Sequence, residues 1–309
     1  MHIAQVNAWS EGPRYTAVGE LPAPSDHQLQ LRVLAAGLHQ VVRSRAAGQH
    51  YSAKELPHVV GVDCVGRHEA TGRLYYVLSF KSGTFAEYVN VEKANAYPLP
   101  EGADPVAFAA SVNPAMSSWM ALTQRTSGLA RGFTVLILGA TSASGRLAAY
   151  AARELGAGKV IGVARDAAAL ESLEGFDERI VLRDPVQETD FSKVGRECDV
   201  ILDYVYGDAA LHLLSSLGSD KPVQYVNIGG LAQQTATIPS ALLRSRDLTV
   251  RGAGPGAWGL PALGREMPTL VEKMATWKLL DAQTVPLKDI EQVWDDKELG
   301  RKGRVVFVP

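Results

Sequence analysis

The pattern of apolar and polar positions changes character twice along the chain. From Met1 to about Ser111 the apolar stretches are short and broken by Gly, Pro and Ser: IAQVNAW, LQLRVLAAGL, LYYVLSF and TFAEYVNV. Runs of this kind, bounded by turn residues, predict strands, so this part reads as a strand-rich domain. From about Asn113 to Gly252 strands alternate with helices. TVLIL (134–138) leads to a helix over RLAAYAAREL, KVIGVA (159–164) to a helix over AAALESL, and RIVL (179–182) and DVILDYV (199–205) to a helix over DAALHLLSSL; VQYVNIG (223–229) and LTVRG (248–252) follow. Strands this uniformly apolar, joined by helices, predict a parallel sheet covered on both faces. The remainder, Ala253 to Pro309, ends in RVVFVP behind a turn at Gly303 and is too short for a core of its own. The expected division is therefore 1–112 with the return segment 253–309, and 113–252 between them.

One stretch of the middle segment carries chemistry. After TVLIL comes Gly139, Ala140, Thr141, Ser142, Ala143, Ser144 and Gly145, with a helix expected from about Ser144. Small residues between a parallel strand and a helix let backbone N–H groups approach a pyrophosphate, which the positive end of the helix also attracts. The residues at the tip of the next strand then discriminate between cofactors. A carboxylate there would bond the ribose hydroxyls of NAD, whereas Arg165, following the uncharged Ala164, offers a guanidinium suited to a 2′-phosphate. NADPH is the cofactor this predicts. Asp166 competes, because a one-residue shift in strand end puts its carboxylate at the ribose; as the cap of the AAALESL helix it has a separate structural job.

Composition narrows the remaining classes. The 309 residues are 46% hydrophobic and 21% charged with net charge −2, which offers no basic footprint for nucleic acid. No apolar run reaches membrane-spanning length, and MHIAQVNAWSEGPRY lacks the pattern of a signal peptide, so a cytoplasmic location is expected. Two distant cysteines, Cys64 and Cys198, build neither a disulfide framework nor a zinc cluster and read as buried small hydrophobes. No Tyr is followed four residues later by Lys, and GATSASG does not supply the Gly-x-Ser-x-Gly elbow of a serine hydrolase.

The layout and its motifs resemble the medium-chain dehydrogenase/reductase superfamily over essentially the whole chain. LPHVVGVDCVGR (56–67) is similar to that family's Pro-x-x-x-Gly-x-Asp/Glu-x-x-Gly segment, GTFAEYVNV (83–91) to its Gly-x-x-Ala-Glu-Tyr strand, and VNIGG (226–230) to its last nucleotide-contacting turn. NPAMSSWMAL (113–122) and GATSASG resemble the zinc-independent quinone oxidoreductase branch. The resemblance implies an α/β fold: a GroES-like strand-rich catalytic domain joined to a Rossmann doubly wound parallel-sheet domain. It also implies a homodimer, paired through the edge strand LTVRG.

Where the zinc alcohol dehydrogenases carry their catalytic ligands, this chain has His39, Val62 with Asp63, and the cysteine-free NPAMSSW, so no metal is expected. Ser142 stands where related fingerprints have their central Gly, and its side chain either crowds the pyrophosphate or donates to it. By matching positions, the resemblance implies catalytic parts for His39, as an orienting or proton-relaying group, and for Tyr51, as an enolate donor. The alternatives are a satisfied core histidine and an amphipathic wall residue. Ser117 corresponds to a Thr near the nicotinamide carboxamide, or else caps a helix N-terminus. Ile228 and Gly229 match the turn at the nicotinamide-side ribose, and Gly252 with Ala253 would continue that wall. The implied reaction is NADPH-dependent hydride transfer to a quinone or an enone or enal. A noncatalytic NADPH-binding sensor or scaffold and a pathway-specific enoyl reductase are the other readings.

Overall fold

From its N-terminus the chain lays down β1 (His2–Val6), β2 (Arg14–Ala17), β3 (Gln28–Gly37), β4 (His58–Val59), β5 (Asp63–Arg67), β6 (Leu74–Leu78), β7 (Tyr88–Glu92) and β8 (Ala96–Pro98). This is a computed structural model that describes residues 1–50, 52–296, 298–300 and 303–309. Six further strands follow: β9 (Thr134–Leu138), β10 (Lys159–Ala164), β11 (Glu178–Val181), β12 (Val200–Asp203), β13 (Val223–Asn227) and β14 (Leu248–Gly252). The return segment adds β15 (Ala282–Pro286) and β16 (Arg304–Val308). Two compact units result, 1–113 with 267–309, and 114–266.

In the first unit β1 pairs with β2 and β4, and a larger sheet runs β15-β16-β3-β5-β6-β8, with β7 also on β3. Along β3 the buried Leu31 and Val33 alternate with the exposed Arg32, the period expected of a strand with one face on a core. A register shift between Val33 and Ala35 then breaks the alternation, and Ala35, Ala36 and Gly37 are all buried. β16 pairs antiparallel with the end of β3, which is how the return segment joins this unit. Leu31, Val33, Cys64, Val77, Phe85 and Phe307 are part of its core.

The second unit is a six-stranded sheet in the order β11-β10-β9-β12-β13-β14, parallel throughout. Its central strands β9, β10 and β12 are buried along almost their whole length because both faces are covered. Val135 and Ile137 of β9 pack into one core cluster, and Leu136 and Leu138 into another. This is the doubly wound arrangement, in which the strand order reverses between β9 and β12 and the carboxyl ends of the strands there form a crevice for ligands. The unit extends beyond the expected Gly252. Glu266 accepts hydrogen bonds from Trp119 Nε1 at 2.8 Å and Gln124 Nε2 at 3.0 Å, which ties the segment after β14 to the nucleotide-type unit. No helix among the described residues is long and apolar enough to cross a membrane.

Candidate functional site

At the end of β9 the chain turns through Gly139, whose φ of +97° suits glycine. The helix Ala143–Glu154 begins one residue earlier than expected, because Ser142 caps it: its Oγ accepts from Gly145 N at 3.0 Å. Gly145 is required by contact. A Cβ there would lie 2.3 Å from Gly139 O and 2.8 Å from Ala140 Cα, so only glycine lets the helix approach the strand this closely. The six expected pyrophosphate residues divide by what their N–H groups already do. Ala140 N donates to Val163 O, Ser142 N to Gly139 O and Gly145 N to the Ser142 hydroxyl, all inside the turn. The N–H groups of Thr141, Ala143 and Ser144 have no partner among the described residues and remain for an anion.

This turn opens on a cavity of about 740 Å³ within the second unit, lined in part by Thr141, Ser142, Arg165, Arg183 and Tyr206. Arg165 is the first residue beyond β10 and is exposed. Asp166, the competing carboxylate, caps the helix Ala167–Glu171 by accepting from Ala169 N at 2.9 Å. Its position is thereby accounted for, and the guanidinium is left on the cavity. Arg183, two residues beyond β11, joins it there. Neither guanidinium has a hydrogen bond or ion pair among the described residues. Arg183 escaped the sequence reading because no motif marks it; the available signal was its place just past the third strand of a doubly wound pattern.

Beyond β12 the backbone O of Asp203 receives Ile228 N at 2.7 Å and Gly229 N at 3.1 Å, which fixes the expected last turn against this strand end. Ala253 N donates to Asn227 O at 2.8 Å. Ser117 lies well inside the helix Pro105–Arg125 and donates to Pro114 O at 2.7 Å, so it caps no helix start. Its Oγ also lies 3.5 Å from the hydroxyl of the buried Tyr204, whose pKa burial pushes up to about 12. Tyr204 is therefore a neutral hydroxyl. The sequence reading did not single it out.

In the first unit His39 is 5% exposed. Its Nε2 lies 2.9 Å from Asp63 Oδ2, which also accepts from Tyr76 OH at 2.7 Å, while Nδ1 faces a nitrogen of Arg304. Because the guanidinium can only donate, Nδ1 accepts and Nε2 carries the proton. Burial, with the Arg304 charge adding to it, holds the imidazole below its ordinary range despite Asp63. The ring is neutral and enclosed, with both nitrogens engaged. Tyr51 lies outside the described residues.

No family model matches the chain. A probable NADPH-dependent quinone reductase of Emericella nidulans is 38% identical over 100% of both chains. The chain belongs to the medium-chain dehydrogenase/reductase superfamily, in its zinc-independent quinone oxidoreductase-like branch. The human quinone oxidoreductase is 28% identical over 68% of this chain and 64% of its own length. Among solved structures, the quinone oxidoreductase from Thermus thermophilus, also solved in complex with NADPH, superposes with a TM-score of 0.79 at 25% identity over 100% of both chains.

Membership in this superfamily gives the two departures from its pattern a physical reading. Ser142, in place of the fingerprint's central Gly, has φ −68° and needs no glycine; its hydroxyl oxygen caps the helix and its proton has no acceptor among the described residues. At the position of a zinc-binding motif, Val62 is fully buried and Asp63 is turned inward to His39 and Tyr76.

Proposed function

We propose that the protein is an NADPH-dependent reductase of quinones and related α,β-unsaturated carbonyl compounds, enones or enals, acting without zinc. One observation carries the reading: Arg165 and Arg183 stand exposed and unengaged on the same cavity, beside a helix start with free N–H groups. Two guanidinium groups match the charge and the planar hydrogen-bonding demand of a 2′-phosphate, and a cavity of about 740 Å³ accommodates an adenosine. The residues present thus fit NADPH. The names of the fungal and human relatives support quinones as the substrate class.

In this reading Arg165 and Arg183 hold the 2′-phosphate, and the N–H groups of Thr141, Ala143 and Ser144 face the pyrophosphate. Ser117, the Ile228–Gly229 turn and Ala253 flank the nicotinamide end. When bound, NADPH supplies a hydride from the nicotinamide ring to the substrate. Tyr51 is the proposed hydroxyl donor to the developing enolate or phenolate, while His39 acts through the fold, as its burial supports. The exposed Thr249 and Val250 of β14 support pairing of two copies along that edge. The test follows oxidation of NADPH and of NADH against a panel of quinones, enals and enones. The expected result is turnover with a preference for NADPH of at least about 100-fold, the lower end for two charged hydrogen bonds. Equal rates with both cofactors would remove the argument from Arg165 and Arg183, and tight binding without turnover on any substrate would leave a nucleotide-binding protein instead.

A further inference from the structure

Tyr206 is the one non-glycine residue with positive φ among the described residues, at φ 62° and ψ −171°. L side chains avoid this region, whereas glycine enters it freely. A buried carboxylate holds the conformation in place. Asp203, fully buried at the end of β12, accepts from Val205 N at 2.8 Å and Tyr206 N at 2.9 Å through Oδ1, and Oδ2 is bonded by the Tyr225 hydroxyl. The same carboxylate therefore fixes both backbone groups that lead into the unfavourable residue. What results is a half-buried aromatic ring on the wall of the nucleotide cavity, on the same lining as Arg165 and Arg183. The Tyr206 hydroxyl has no hydrogen-bond partner among the described residues.

We propose that Tyr206 is a binding residue for the adenosine half of the cofactor, its ring packing on the purine nucleoside while the two guanidinium groups hold the 2′-phosphate. Folding alone does not account for a tyrosine here, because glycine would satisfy the same turn with less strain. An aromatic face is sequence-tolerant towards any base but adds substantially to the binding of one that stacks on it. The assignment rests on the NADPH reading above and deepens it.

Two variants and two measurements test it. Tyr206→Gly should raise the melting temperature by roughly 2–4 °C, through relief of the backbone strain, and weaken adenosine 2′,5′-bisphosphate and NADPH by about ten-fold, measured by calorimetry and nucleotide fluorescence. Tyr206→Phe should retain the affinity for both within about three-fold, since the ring is kept. Gain of stability with loss of affinity is a combination that a purely structural residue does not give. If Tyr206→Gly binds the bisphosphate as tightly as the parent chain, or melts lower while binding less, the proposal is overturned. If the parent chain itself fails to bind the bisphosphate and NADPH, the cofactor reading falls and takes this one with it.

Discussion

In the first unit His39 and Tyr76 bond the carboxylate of Asp63 and Arg304 bonds His39, all within the fold, whereas in the second unit Arg165 and Arg183 stand exposed on a cavity with nothing to bind. Both regions hold charged side chains near the ends of strands. They differ in whether the protein has already answered those charges. A buried group with internal partners is part of the fold, and removing one partner leaves the others desolvated; an exposed cation left open beside a shaped cavity is answered by a ligand. The comparison breaks most visibly at Asp63. Asp63→Ala should lower stability by about 3–5 kcal/mol in urea unfolding, because two buried donors, His39 Nε2–H and the Tyr76 hydroxyl, lose their acceptor at about 1–3 kcal/mol each. The folded fraction should keep its NADPH affinity. A variant of normal stability that has lost the cofactor would invert the two assignments.

The opposite signature is expected on the cavity. Arg165→Ala and Arg183→Ala should each weaken NADPH by about 1.5–3 kcal/mol, the scale of a charged hydrogen bond, while urea midpoints stay within about 0.5 kcal/mol, as for other exposed substitutions. NADH affinity should hardly move, since it lacks the phosphate. Equal losses for the two cofactors would mean that these side chains support the cavity wall and do not read the 2′-phosphate.

How much of this could be read from the chain depended on whether a residue's role is local. The central parallel strands were legible because burial on both faces makes VIGVA and VLIL apolar throughout, and Asp166 because capping acts within three residues. Gly139 to Gly145 was legible for the same reason. The helix Pro105–Arg125 was not, since Asn113 and Pro114 interrupt its pattern from within. His39 is defined by Asp63 and by Arg304, 265 positions away, which no window contains. Arg183 gains meaning only when β11 is seated beside β10, and nothing in DYVYGD announces that Tyr206 adopts a glycine-like conformation. The end of the second unit was misplaced because Glu266 belongs to it through contacts with Trp119 and Gln124.

A titration separates the regions further. His58 is half-buried in the first unit, and burial first, then the Arg45 charge, push its pKa down to about 4 from an ordinary 6.5. Between those values the unfolded chain binds the proton and the folded one does not. The contribution of His58 is thus fully present above pH 6.5 and is lost as pH falls through about 4. After allowance for solvent screening of a half-exposed ring this amounts to roughly 1–2 kcal/mol. Melting temperatures of the parent chain should fall between pH 7 and pH 5, and His58→Gln should flatten that part of the fall. An unchanged slope would place the acid sensitivity elsewhere.

The smallest effect is the most discriminating for the fingerprint itself. Ser142 serves the fold through its oxygen, which accepts from Gly145 N, and its hydroxyl proton has no acceptor among the described residues. Ser142→Ala should therefore cost about 1 kcal/mol of stability, the usual loss of a helix cap, and Ser142→Gly only a few tenths. Cofactor binding moves independently of that difference. If the hydroxyl donates to the pyrophosphate, both variants should weaken NADPH by about the same ten-fold, the low end for a hydrogen bond to a charged group. If instead the side chain crowds the phosphate, Ser142→Gly should bind NADPH more tightly than the parent while melting slightly lower. Calorimetric binding together with urea midpoints for the two variants decides between them, and the outcome shows whether a position that serves the fold also serves the ligand.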